Sequence, residues 1–151
     1  MLVVIASQEE LKLVLELGYS DNPILITGVG GINVIQSLKN LPKDTPILNI
    51  GYAGSNCLKV GSTVEVSKVC TNHDKADFVE TDLYLKPYGR FPSYTCYTNT
   101  DFVTHAEKFE PCVFDMELAF IRAMFDNVYS IKVVSDNLSL NQYRDVIKQT
   151  V

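Results

Sequence analysis

Acidic side chains that follow short apolar runs are the residues of this chain best placed to do chemistry. Glu10 comes soon after Leu2 to Ala6, Asp115 and Glu117 follow an apolar stretch ending at Phe114, and Asp136 follows Val128 to Val134 and Ser135. A carboxyl group in such a place serves either the backbone or a ligand. Ser7-Gln8-Glu9-Glu10 has the form of a capping box, with Ser7 as cap and Glu10 reaching back. Asp115 and Glu117 suit the first turn of a helix, where the dipole favours acids. Ser135-Asp136-Asn137 suits a turn after a strand. The other reading is that these acids converge, because in α/β sheets ligands bind beyond the carboxyl ends of the strands. Gly28-Val29-Gly30-Gly31 is another such place, where backbone N–H groups could face an anion. Asn33 stands where a dinucleotide fingerprint needs its last glycine, and a P-loop lysine is absent. That segment is a tight strand-to-helix turn or a substrate-lining loop. Taken singly, none of these signals decides its own case.

The elements that must position these residues alternate along the chain. Strands are expected at Leu2 to Ala6, Ile24 to Thr27, Ile47 to Gly51, Thr63 to Cys70 and Val128 to Val134, from apolar or alternating runs rich in β-branched residues. The third ends in the small-residue turn Ala53-Gly54-Ser55. Shorter strands are expected at Tyr94 to Tyr97 and Glu110 to Phe114. Helical spacing follows Ser7, then spans Ile32 to Leu41, Met116 to Phe125 and Asn141 to Thr150, the last opened by a capping box of Ser139 and Gln142. From Thr71 to Arg90 the chain is polar and aromatic and reads as loop with one short strand. Strand–helix alternation of this kind predicts an α/β fold: a mixed, largely parallel central sheet flanked by helices. Residues 1–151 read as one domain, without repeats or linkers.

Composition narrows the partners. With 46% hydrophobic and 21% charged residues in 151, the chain has the make-up of a globular domain with a real core. The net charge is −5 and no two Lys or Arg residues are adjacent, so a nucleic-acid partner is not expected and a small molecule is. The apolar start, Met1 to Ala6, is too short for a signal core or a membrane span, which predicts a cytoplasmic protein with no membrane contact. Cys57, Cys70, Cys96 and Cys112 are scattered, with no C-x-x-C pair. Buried free thiols in a reducing compartment are expected, with neither metal nor cofactor.

Three segments, read together, resemble one family. Ile47-Leu48-Asn49-Ile50-Gly51-Tyr52-Ala53-Gly54-Ser55, followed by Leu58-Lys59-Val60-Gly61-Ser62-Thr63-Val64, is similar to its strand, glycine turn and K-V-G-D-x-V hairpin. Val113-Phe114-Asp115-Met116-Glu117 is similar to its V-x-x-M-E segment, and Ile131-Lys132-Val133-Val134-Ser135-Asp136 to its R-x-x-S-D segment. The family is the purine nucleoside phosphorylases and nucleosidases, in particular the 5′-methylthioadenosine/S-adenosylhomocysteine nucleosidase branch. The motifs occur in family order and cover most of the chain.

The resemblance implies roles. Asp136 would protonate N7 of the leaving purine, Met116 and Glu117 would hold the ribose, and Phe102 with Val103 would stack on the base. Glu10 would activate water. Tyr52, Ala53 and Gly54 would lie beside the sugar, and Lys132 would replace the usual arginine. Cleaving an N-glycosidic bond develops oxocarbenium character on the sugar. The purine leaves well only once N7 is protonated, so Asp136 needs an apolar setting that keeps its proton. A phosphorylase needs cations for its phosphate, and Arg90, Arg122 and Arg144 all lie outside the early strand-end loops. Hydrolysis of an adenosine-type nucleoside is therefore the expected reaction. A phosphate-dependent phosphorylase and a non-catalytic nucleoside-binding relative are the alternatives. The resemblance also implies a homo-oligomer, with a dimer favoured. The chain departs from the family in three ways: Tyr52 replaces a small residue, Lys132 replaces arginine, and the chain is short. The shortening is expected between Asp74 and Phe102 and at the last helix, which ends at Val151.

Overall fold

The computed structural model describes residues 1–71, 83–106 and 110–148. Leu2–Ile5 (β1) is almost wholly apolar because both its edges and both its faces are covered; it lies parallel to Ile24–Ile26 (β2) on one side and to Ile47–Ser55 (β3) on the other. A 3₁₀ turn at Gln8–Glu10 and a helix at Leu11–Leu17 (α1) return the chain from β1 to β2, burying Leu13 and Val14. A second helix, Gly31–Leu38 (α2), makes the next crossover and buries Val34 and Leu38.

β3 is the hub of the sheet. Its first residues pair with β1, while its other edge runs parallel to Val128–Asp136 (β8), from Ile47 opposite Val128 to Ala53 opposite Val134. Beyond the end of β1, Gly54 and Ser55 pair antiparallel with Phe114 and Val113 of Cys112–Asp115 (β7). β8 also pairs antiparallel with Thr63–Thr71 (β4), β4 runs parallel to Ser93–Thr98 (β6), and β6 runs parallel to β7. The path β3–β8–β4–β6–β7 thus returns to β3 and closes a barrel, leaving β1 and β2 as a flat extension and Leu83–Tyr84 (β5) as a short addition to β4. The fold is mixed α/β, as expected, but the closure could not be read from the strands one at a time.

Two apolar clusters lie on opposite sides of this sheet. Val64, Val66, Val69, Cys96, Val113 and Val134 pack with Val34 and Leu38 of α2 and with Leu118, Ile121 and Phe125. Leu118 and Ile121 belong to the helix Leu118–Met124 (α3). On the other side, Val3, Ile5, Leu48, Ile50 and Ile131 pack against Leu13 and Val14 of α1. The last helix, Leu140–Lys148 (α4), has no buried residue among those described. No helix among the described residues is long and apolar enough to cross a membrane.

Four local expectations change. β3 does not stop at Gly51 but continues through Ala53 and Gly54 to Ser55. Its small residues provide clearance rather than a turn: a Cβ on Gly51 would lie 2.5 Å from Glu10 Oε2, and one on Gly54 would lie 3.0 Å from Asp136 Oδ2. α3 starts at Leu118 rather than Met116, because the Asp115 carboxylate accepts the Leu118 N–H (2.8 Å) and ends the non-helical approach there. Ser7 makes no side-chain cap, while Ser139 accepts the Gln142 N–H (3.2 Å) and Gln142 reaches back to the Asn137 N–H (2.7 Å), one residue pair beyond a simple box. Cys57 is exposed rather than buried, and none of the four cysteines is in a disulfide. Most of the segment expected as loop after Thr71, and the expected helix end at Thr150 and Val151, lie outside the described residues.

Candidate active site

The carboxyl ends of the parallel strands β1, β3 and β8 lie at one edge, and β7, running opposite, brings Asp115 and the residues after it to the same place. The result is a small, open cleft of about 70 Å³. Its wall includes Glu10, Tyr52, Ala53, Gly54, Met116, Glu117 and Asp136, with Phe102 across from them. Val103 lines a smaller hollow that shares Gly54, Phe102, Met116 and Asp136 with the cleft. Of the ten residues singled out in the sequence, only Lys132 stays off the wall.

Each acid is held differently. Glu10 is not a capping residue; it turns inward, and its two carboxylate oxygens accept the N–H groups of Ala6 (2.8 Å) and Tyr52 (2.7 Å). Burial raises its pKa, and Lys132 and the N–H donors only partly offset this. Glu117 accepts the Gly30 N–H at 2.8 Å, so the glycine turn before α2 does face an anion, one supplied by the chain itself. Gly30 has φ +92°, a conformation that favours glycine. Burial, and then the neighbouring Asp115 carboxylate, push Glu117 up to about 7. Asp136 has no exposed surface; Ser135 Oγ donates to it at 2.7 Å and the Leu138 N–H at 2.9 Å. Burial holds its pKa above the ordinary value despite these donors.

Lys132 lies behind the wall. It is 1% exposed, and its ammonium group sits 3.1 Å from Asp115 Oδ2. Asp115 also accepts the Thr98 hydroxyl at 2.6 Å and the Cys96 thiol at 3.3 Å. Burial alone would raise the Asp115 pKa, but Lys132 and these donors hold it below the usual carboxylate value. Tyr52 lines the cleft, yet its ring packs with the α1-side cluster of Val3, Ile5, Leu48 and Ile50. Its bulk is directed largely away from the opening.

Sequence reasoning missed Tyr143. This α4 residue lines the cleft and meets Phe102 with ring centroids 5.3 Å apart. Burial, then the facing carboxylates led by Glu10, push its phenol up to about 12. The available signal was an aromatic residue in the helix directly after Ser135-Asp136. Arg90 and Arg122 are engaged elsewhere, donating to Leu17 and Tyr19 and to Tyr84 and Phe125 respectively. No group of three His, Cys, Asp or Glu among the described residues is arranged to hold a metal ion.

This fold has structural counterparts. The MTAN of Chlamydia trachomatis superposes with a TM-score of 0.76 at 20% identity, covering 98% of this chain and 86% of its own. The chain has the nucleoside phosphorylase/nucleosidase fold. A 5′-methylthioadenosine/S-adenosylhomocysteine nucleosidase of Helicobacter pylori matches with a TM-score of 0.73 at 14% identity, over 99% of this chain and 91% of that one. A futalosine hydrolase of the same organism matches with a TM-score of 0.73 at 13% identity over the same shares. Against these nucleosidase-fold structures the shortening of the chain is modest. No protein-family model and no curated protein matches the sequence.

Proposed function

We propose that this protein is a purine nucleoside hydrolase, acting as a single domain of the nucleosidase fold on an adenosine-type nucleoside such as methylthioadenosine or adenosylhomocysteine. The observation that carries the reading is the convergence of Glu10, Glu117 and Asp136, from three distant parts of the sequence, on one cleft with an aromatic wall. Solved structures of the same fold add support: one Chlamydia trachomatis MTAN holds MTA and another holds adenine.

In this reading the base lies between Phe102 and Val103 on one side and Asp136 on the other. Asp136, whose burial favours the protonated form, gives a proton to N7 as the N-glycosidic bond breaks and its electron pair passes to the purine. Water attacks the sugar carbon as positive charge develops there, and Glu10 takes the water proton. Its raised pKa suits a base at neutral pH. Glu117, once ionised, accepts hydrogen bonds from the ribose hydroxyls, with Met116 packed beside the sugar. Ala53 and Gly54 leave room for the substrate, and Tyr52 contributes its backbone N–H to hold Glu10. Lys132 acts from behind rather than by contact. No cofactor enters the scheme.

Among the described residues no Arg or Lys lines the cleft. A phosphate dianion would lack a partner there, which favours water as the nucleophile. Ile26, Val29, Ile32 and Ile35 form exposed apolar surface on and beside α2, next to the cleft, and we assign this face to a homodimer contact. Cysteines that form no disulfide fit a cytoplasmic setting. The test is base release from a panel of purine nucleosides with and without phosphate. Free adenine and free sugar in phosphate-free buffer, lost in Asp136→Asn, is the expected result. Base release that requires phosphate, or that survives the substitution unchanged, would refute the scheme.

A further inference from the structure

Three carboxylates share one buried cation behind this cleft. Asp115 takes it: Lys132 Nζ is 3.1 Å away, and the Leu118 N–H, Thr98 hydroxyl and Cys96 thiol complete its shell. Glu10 and Glu117 therefore face each other's charge with no cation of their own on the wall. Glu117 is faced by Asp115 from β7, Lys132 from β8, Glu10 from the turn before α1, the Gly30 N–H at the start of α2 and the Tyr143 phenol from α4. Glu10 is faced by Lys132, by Tyr52 and by the N–H groups of Ala6, Ser7 and Tyr52. Two ionised glutamates in so little water repel, and burial opposes both charges. The backbone breaks the tie. Glu10 accepts two short N–H bonds, at 2.8 and 2.7 Å, whereas Glu117 accepts one at 2.8 Å. Each such donor favours the ionised form.

We propose that Lys132, locked to Asp115, is a positioning residue that divides one proton between the two cleft glutamates, leaving Glu10 ionised and Glu117 protonated in the unliganded protein. The roles of those two glutamates rest on the nucleosidase reading above; their charge states do not. The same arrangement explains why Glu117 is pushed up to about 7 while Asp115, two residues earlier, stays below its usual value. A ribose arriving at Glu117 below that midpoint displaces the proton to solvent, because a neutral carboxyl cannot accept from two hydroxyls as well as a carboxylate can. Lys132 sets this exchange without touching the ligand.

The test is a carboxyl NMR titration of the full-length, unliganded protein carrying ¹³C-labelled glutamate, with signals assigned through Glu10→Gln and Glu117→Gln. The Glu117 signal is expected to titrate near pH 7, and the Glu10 signal at lower pH. Asp115→Asn removes the anion but keeps the cation, so the Glu117 midpoint should fall by ~1 unit or more. Asp115→Asn combined with Lys132→Met removes both and should restore most of that fall; Lys132→Arg should leave the midpoint in place. Both glutamates titrating in the ordinary carboxylate range in the unsubstituted protein would overturn the proposal. So would equal midpoints in the single and double variants, the result a purely structural role gives. The unsubstituted measurement decides the matter even where a variant fails to fold. Turnover is not read, so a protein that cleaves no nucleoside can still show the titration. An active nucleosidase with ordinary glutamates would refute this inference alone.

Discussion

Asp115 and Glu117 lie two residues apart, are almost equally buried at 6% and 9% exposure, and both line the cleft, yet they are held differently. Asp115 is satisfied by Lys132, Thr98, Cys96 and the start of α3. Glu117 accepts the Gly30 N–H, and further acids surround it. The first acid is paired with a cation, and the second has a backbone donor instead. A buried acid without a cation is held by its surroundings at a cost to stability, and Glu10, Glu117 and Asp136 all line this one opening.

The sharpest way to break this contrast is at the acid assigned to the base. Asp136→Asn keeps the shape but has no proton to give, and should lower kcat for nucleoside hydrolysis by about 10³-fold, read as base release at saturating substrate. Lys132→Met comes next. It leaves Asp115 buried without its cation and should cost about 3–5 kcal/mol in urea unfolding, with Lys132→Arg losing much less. Because the folded-state pKa of Asp115 is lowered, the stability it contributes is present above its ordinary value of 3.8 and is lost as pH falls through its folded value. The deficit of Lys132→Met should therefore be largest near neutral pH and shrink in acid, where Asp115 takes up a proton.

Glu117→Gln should act in the opposite direction. The folded-state pKa of Glu117 is raised, so its favourable contribution is fully present below 4.5 and lost as pH rises through about 7. Removing the charge should stabilise the protein at pH 8 by about 2 kcal/mol, measured by urea unfolding, while weakening nucleoside binding. No gain at pH 8 would show that the cleft solvates this carboxylate better than its surroundings suggest. The smallest effect is expected at the aromatic wall. Tyr143→Ala removes one partner of the Phe102 contact and should raise KM about 3- to 10-fold with little change in kcat, in line with the energy of an aromatic pair.

Several parts of this protein were legible in its sequence because they depend on local composition. β1 and β8 are dense apolar runs, the helices between strands carry their apolar residues at helical spacing, and the segments around Glu117 and Asp136 could be matched by residue order alone. Those features pointed to an α/β fold and to most of the cleft wall. What the tertiary structure decided is which distant groups meet. Lys132 and Asp115 are on different strands, and nothing local to either one shows that the barrel brings them to 3.1 Å. Gly51 and Gly54 look like turn residues until β3 is seen to continue past them, with the Glu10 and Asp136 carboxylates occupying the space a Cβ would need. Glu10 reads as a cap until Tyr52, 42 positions later, donates to it. Apolar periodicity records how each element meets the core, so it survives in the sequence. The charge state of a buried acid depends on the few ångströms around it, and those are filled by residues from several separate strands and helices.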